Sequence, residues 1–175
     1  MDQTKISLVI GGSGGLGESI VRNLIRCGNH VAVHSYSNSE LSQRLVKEMQ
    51  ANQDVRIISV AADIRSETSV EAMVADVEQQ LGKVDILINA AGISIDGMSW
   101  KMSTPNWQKV LDTNLTGPFL CSRAVLPSMR SNGWGRIVNL SSIVGQTGVP
   151  GTSAYAASKS GLFGMTRSMA SEVAN

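Results

Sequence analysis

Ile6-Ser-Leu-Val-Ile10-Gly11-Gly12-Ser13-Gly14-Gly15-Leu16-Gly17 sets the architecture of this chain. A short apolar run of strand type stops at a glycine-rich turn, and residues 18–27 then carry the spacing of an amphipathic helix. Gly12-Ser13-Gly14-Gly15-Leu16-Gly17 satisfies the G-x-G-x-x-G pattern, and Gly11-x-x-x-Gly15-x-Gly17 fits a wider spacing as well. Glycines there permit a sharp turn and bring backbone N–H groups and a helix N-terminus against a pyrophosphate. Such turns also occur without nucleotides; the position between strand and helix favours the ligand.

Outward from that segment, strand and helix patterns alternate. A strand at residues 30–35 follows Gly28, placed as a helix C-cap. A helix over 40–50 and a strand over 55–61 lead to Asp63-Ile64. A helix over 67–81 precedes a strand over 85–88, which ends in Asn89-Ala90-Ala91-Gly92, small residues that let a ribose or flat ring approach the backbone. After a loop over 93–102, Thr104-Pro105 opens a long helix that passes Asn114 and reaches about Met129, with Gly117-Pro118 and Pro127 expected to kink or break it. A turn over 131–135 leads to a fifth strand over 136–140. This alternation predicts an α/β fold, a doubly wound parallel sheet with helices on both faces and right-handed crossovers. With 175 residues, no repeat and no linker, residues 1–175 are expected to form one domain.

The 15 basic and 14 acidic residues are scattered, so no nucleic-acid or anionic-membrane field is expected. No apolar run approaches the ~20 residues of a membrane span, and Met1-Asp-Gln-Thr-Lys5 lacks the apolar core of a signal peptide, so a cytoplasmic protein is expected. Cys27 and Cys121 have no metal-ligand spacing and read as small buried hydrophobes; no metal is expected.

The chemistry-bearing stretch is Arg136 to Lys159. The fifth strand runs into Ser141-Ser142, and Tyr155-Ala-Ala-Ser-Lys159 follows on a helix. A Ser at the C-terminal end of a parallel strand faces the crevice where open α/β sheets hold ligands, and residues four apart share a helix face. One hydroxyl, one phenol and one ammonium can therefore converge on a carbonyl. At the end of the second strand, Ser35-Tyr36-Ser37-Asn38-Ser39 carries no carboxylate before Glu40. An Asp or Glu about 20 residues past the glycine turn is what usually holds the unphosphorylated ribose, so its absence favours NADP over NAD, with small hydroxyls such as that of Ser35 available to a 2′-phosphate. No Arg or Lys lies in that segment either. Asp63 either contacts the adenine amino group or caps the helix that follows.

Gly11-x-x-x-Gly15-x-Gly17, Asp63, Asn89-Ala-Ala-Gly92, Asn114, Ser142 and Tyr155-x-x-x-Lys159, in this order, resemble the short-chain dehydrogenase/reductase family over essentially the whole chain. Trp134-Gly-Arg-Ile-Val-Asn139 and Asn139-Leu-Ser-Ser-Ile-Val-Gly-Gln146 are most similar to its bacterial 3-oxoacyl reductases, which act on acyl-carrier-protein or CoA thioesters. The resemblance implies a Rossmann-type fold and NADPH-dependent reduction of a 3-oxoacyl thioester; another alcohol, sugar or steroid dehydrogenase and a non-catalytic nucleotide-binding module are the alternatives. It implies that Ser13, Leu16, Ile64 and Ala90 join Gly11, Gly15, Gly17, Ser35, Asp63, Asn89, Gly92, Tyr155 and Lys159 around the cofactor. It further implies that Tyr155 protonates the forming alkoxide, Lys159 stabilises the phenolate, Ser142 donates to the carbonyl oxygen and Asn114 holds a water relaying protons to Lys159. A homotetramer or homodimer built on the long helices is implied, with Trp107, Phe119 and Phe163 in the interface or the core.

Departures from the family pattern are Ile10, where a Thr hydroxyl usually ties the turn to a neighbouring loop, and Gly14, where many NADP enzymes are basic. The segment before the fifth strand is poor in basic residues, which leans toward a CoA thioester. Family members continue through two more strands and a substrate lid, so the resemblance implies C-terminal strands outside these 175 residues and an exposed fifth strand.

Overall fold

The computed structural model describes residues 4–36, 40–50 and 55–174. Residues 37–39, part of the segment on which the cofactor expectation turned, lie outside the described residues, as do residues 1–3 of the amino terminus. Five strands, β1 (Ile6–Ile10), β2 (His30–Ser35), β3 (Ile57–Ala61), β4 (Ile86–Asn89) and β5 (Arg136–Asn139), form one parallel sheet in the order β3-β2-β1-β4-β5. The order reverses between β1 and β4, and open α/β sheets hold their ligands at that switch point, beyond the strands' C-terminal ends.

The helices are α1 (Gly15–Arg26), α2 (Glu40–Gln50), α3 (Glu67–Gln80), α4 (Thr104–Leu111), α5 (Gly117–Ser131), the short α6 (Val144–Thr147) and α7 (Ser153–Glu172). Alternate strand residues feed two apolar layers. Leu8, Ile10, Ala32, Val60 and Leu87 pack with Val70, Val74 and Val77 of α3 and Leu120, Val125 and Met129 of α5. Val9, Val31, Val33 and Ile88 pack with Val21 and Ile25 of α1 and Leu45 and Met49 of α2. A parallel sheet buried on both faces needs these near-continuous apolar strands. The fold is the expected Rossmann-type, doubly wound sheet.

Several elements differ from their sequence expectation. Helix α1 begins at Gly15, inside the glycine turn, because the turn's own glycines take helical geometry. The cap of α3 is Ser66, whose hydroxyl accepts from the Ser69 N–H, and not Asp63, which lies three residues too early. The long helix is interrupted by a π-helical turn, Asp112–Thr116, in which the Gly117 N–H reaches back to the Asp112 carbonyl. Pro118 explains the bulge, since it lacks the N–H that would bond the Asn114 carbonyl and its ring crowds that position. Pro127 does not break α5; it sits on the exposed side, where water can take the unpaired carbonyl. Cys121 is buried as expected, whereas Cys27 is exposed at the end of α1.

Candidate active site

The crevice is built where the tips of β1 and β4 touch. Gly11 has φ +75°, and a Cβ there would come within 2.8 Å of the Ala91 backbone, so this position needs glycine on two counts. Gly17 is held as tightly, because its Cβ would stand 2.1 Å from the Gly11 carbonyl oxygen. The Gly14 N–H donates to that same oxygen at 3.0 Å and closes the turn. No side chain caps α1, so its first-turn N–H groups face the crevice mouth, beside an open Gly15 and an exposed Leu16. A glycine-floored cradle against an uncapped twelve-residue helix fits a dinucleotide pyrophosphate.

At the β2 end of the crevice, Ser35 is buried and its hydroxyl lies 3.5 Å from that of Ser42, facing the interior. Ile64 is also buried, with its side chain against Gly117. The Asp63 carboxylate is engaged by Arg65, whose Nε donates to Oδ1 at 2.9 Å and whose Nη2 donates to Oδ2 at 2.7 Å. Arg65 holds the Asp63 carboxyl below the usual carboxylate range. Arg65 also donates to the Tyr36 hydroxyl at 3.2 Å and lies over its ring. A cation absent from the end of β2 in sequence is therefore delivered there from the segment after β3. The signal that finds it is strand order: β3 neighbours β2, so a residue just past one strand stands beside the tip of the other.

At the β4–β5 end, α7 carries Tyr155 and Lys159 one turn apart, with the Lys159 Nζ 5.7 Å from the Tyr155 ring centroid. Lys159 is only 5% exposed, and its ammonium donates to the Leu140 carbonyl at 2.7 Å, just past the end of β5. Burial lowers its pKa below that of an ordinary lysine. The Ser141 hydroxyl donates to the Lys159 carbonyl at 2.7 Å, and a Cβ on Gly145 would come within 2.8 Å of the Lys159 backbone. These two contacts register the Ser142 loop against α7. The Ser142 Oγ accepts from the Val144 N–H at 3.2 Å, which leaves its own hydrogen to donate.

Asn114, fully buried at the centre of the π-helical turn, joins three elements. Its Oδ1 accepts from the Ile93 N–H at 2.8 Å, and its Nδ2 donates to the Ile93 carbonyl at 2.8 Å and to the Ser158 hydroxyl at 3.1 Å. Gly92 lies between Asn114 and Lys159: a Cβ there would be 3.4 Å from both Oδ1 and Nζ. Asn89 is buried beneath the crevice, donating to the Asn139 Oδ1 at 2.7 Å, so its side chain joins β4 to β5. Ala90 extends that tip, its N–H donating to the Ile10 carbonyl at 3.0 Å.

Sheet order, glycine turn and the Tyr155–Lys159 helix define a dinucleotide-dependent oxidoreductase of the doubly wound class. A model of the short chain dehydrogenase family matches residues 5–175. The chain belongs to that family, whose members are oxidoreductases that bind a nicotinamide cofactor. It is 39% identical over 175 residues, all of this chain and 71% of the relative, to a 3-oxoacyl-[acyl-carrier-protein] reductase FabG of Staphylococcus aureus. It is 40% identical over 171 residues, 97% of this chain and 66% of the relative, to a 2-dehydro-3-deoxy-L-rhamnonate dehydrogenase (NAD(+)) of Sphingomonas sp.. Nodulation protein G of Azospirillum brasilense is 39% identical over 170 residues, 97% of this chain and 69% of the relative. No helix among the described residues is long and apolar enough to cross a membrane.

Proposed function

We propose that this chain carries the site for reducing a 3-oxoacyl thioester, with NADPH as the reductant. The observation that carries the reading is the Lys159 ammonium, buried one turn from Tyr155 and anchored on the carbonyl that ends β5. A reduced nicotinamide, when bound, supplies the hydride. Tyr155 gives its phenolic proton to the oxygen of the β-carbonyl as that oxygen becomes an alkoxide. Lys159 stabilises the phenolate left behind, because a neighbouring cation favours the charged form. Ser142, with its hydroxyl hydrogen uncommitted, donates to the same oxygen while charge builds on it. Asn114 positions the floor, and relay of a proton through water at its amide toward Lys159 belongs to the same proposal.

Two further observations support the choice of substrate and cofactor. Trp100 is 78% exposed and Ile143 67%, and Met98 and Val149 are exposed too; the loops bearing them are joined by the Gly97 N–H donating to the Gly151 carbonyl at 2.8 Å. An apolar rim of this kind suits an acyl chain better than a sugar acid. Arg65 stands beside Tyr36 while paired with Asp63, and residues 35–39 carry no carboxylate of their own; together these support a 2′-phosphate there. A cytoplasmic homotetramer or homodimer acting on an acyl-carrier-protein or CoA thioester completes the proposal.

Consumption of NADPH absorbance with acetoacetyl-CoA and with an acetoacetyl carrier-protein thioester tests it, with NADH run beside. Tyr155→Phe is expected to cut kcat/KM by about 10³-fold and to leave NADPH affinity unchanged. NAD-dependent oxidation of a sugar acid, without thioester reduction, would establish the sugar-dehydrogenase alternative. Tight NADPH binding without turnover of any ketone would leave a nucleotide-binding module.

A further inference from the structure

His34 is the one buried imidazole in the crevice wall among the described residues, and the mechanism above does not use it. It lies in β2 with 2% of its surface exposed. Its Nδ1 accepts from the Gly11 N–H at 3.1 Å, and its Nε2 is 3.0 Å from the Ala62 carbonyl oxygen. Those partners fix the tautomer: an amide donor at one nitrogen and a carbonyl acceptor at the other require a neutral ring with its hydrogen on Nε2. Gly11 opens the glycine turn, and Ala62 precedes the Asp63–Arg65 pair. The β1–β2 ladder has ended at Val9 and Val33, so no strand partner remains for the Gly11 N–H. Ile10, fully buried, offers the turn no hydroxyl.

We infer that His34 is a positioning residue for the dinucleotide, a neutral imidazole strut that holds the glycine turn and the Asp63 corner at a fixed separation. The inference rests on the cofactor reading proposed above. Because the strut works only as a neutral ring, a second proton on Nδ1 would confront the Gly11 N–H with another donor and release the turn. Burial lowers the pKa of His34, and the Ala62 bond opposes that shift. The neutral strut is therefore intact above the ordinary histidine value of about 6.5 and is lost only as pH falls through the lower, folded value. Among the described residues no charged side chain bonds the His34 ring, and His30, on the same face of β2, accepts from the Arg56 N–H at the other end of the strand. β1 and the glycine turn carry no titratable side chain, and neither does β3. Asp63 and Arg65 pair with each other. On the helices that pack against this face, Glu67 of α3 pairs with Arg123 of α5, and the Cys121 thiol is pushed up by burial. Glu71, Asp76 and Glu78 of α3 and Arg130 of α5 lie on exposed or half-exposed sides.

Two conservative variants separate the bonds. In His34→Asn the amide oxygen takes the place of Nδ1 and keeps an acceptor for Gly11. In His34→Gln the amide nitrogen reaches the place of Nε2 and keeps the donor to Ala62, but Gly11 loses its acceptor. The measurements are NADPH affinity by fluorescence titration and hydrogen exchange of the Gly11 amide, each across a pH series. Gln is expected to weaken NADPH binding about tenfold and to unprotect the Gly11 amide. Asn is expected to stay within about twofold on both, and to lack the wild type's loss of affinity as pH falls through the lowered value of the buried imidazole. Equal NADPH binding by wild type and both variants would overturn the inference while leaving the cofactor reading intact. A wild-type chain that protects Gly11 yet binds no dinucleotide would overturn the cofactor reading, and with it the purpose assigned to His34.

Discussion

Lys159 shows how a single side chain can serve the proposed chemistry at the expense of the fold. The residue is almost wholly buried, its ammonium donates to the Leu140 carbonyl, and it has no carboxylate partner among the described residues. A folded pKa below the unfolded value means the fold favours the neutral amine. The stability linked to that group is therefore present above the ordinary lysine value of about 10.4 and is missing at neutral pH. Lys159→Met keeps the stem and removes the charge. At neutral pH the variant is expected to melt no lower than wild type while losing at least about a hundredfold in kcat/KM, and its advantage in Tm should shrink as pH rises toward that of the free amine. Thermal melts at neutral and alkaline pH check this; a variant that melts well below wild type at pH 7 would show that the ammonium holds the fold together. Tyr155 and Lys159 were legible in the sequence because their spacing is local and fixed by the helix. Arg65 and His34 were not, since their partners lie 29 and 23 residues away and meet them only through strand order.

Among the elements, strands and helices were legible wherever period and glycine agreed, and boundaries moved where backbone chemistry overrode pattern. The π-helical turn is the clearest case: sequence pointed to a disturbance at Gly117-Pro118, but the bulge falls one turn earlier, at the carbonyls a proline cannot serve. That bulge brings Asn114 to Ile93 and Ser158, and so joins the loop after β4 to α7. The other joint is α6 on α7, where Gly145 lies against the backbone of Lys159 and Ser160 with no room for a methyl group. Gly145→Ala must push the Ser142 loop away from the Tyr155 helix, because its clash is with helix backbone and not with a flexible side-chain end. Displacements near 1 Å between reacting groups cost on the order of a hundredfold in rate. The variant is expected to lose about that much in kcat while its NADPH affinity, set at the far end of the crevice, stays as in wild type. Single-turnover kinetics beside a binding titration separates the two; an equal loss in both would mean that the joint supports the whole crevice and not the approach of two side chains.

At the scale of the molecule, the sheet is protected unevenly. On the face covered by α1 and α2, Ile88 of β4 is nearly buried, whereas its register partner Val138 of β5 is 47% exposed. On the other face a groove of ≈ 800 Å³ runs between α5 and α7, over Ile137 and Asn139, with Leu126, Met129 and Met169 in its walls. The N–H groups of Arg136 and Leu140 point to β4, so by the parallel ladder those of Ile137 and Asn139 point away from it. The exposed fifth strand was expected from the sequence, through the family pattern; that coverage fails on one face at Val138 required the register. Within these 175 residues β5 is the outer strand, and among the described residues nothing pairs with its outward N–H groups; an edge with an apolar side chain is a template for pairing with another chain, and natural sheets usually guard such edges with charge. Val138→Lys places a cation on that strand without entering either core layer. The 175-residue wild-type chain is expected to scatter more light with each step of a concentration series, past the value of a closed tetramer, and the variant to level off at the value of a dimer or tetramer with an unchanged Tm. Identical scattering from the two proteins would mean that growth beyond the closed oligomer runs through a surface other than β5.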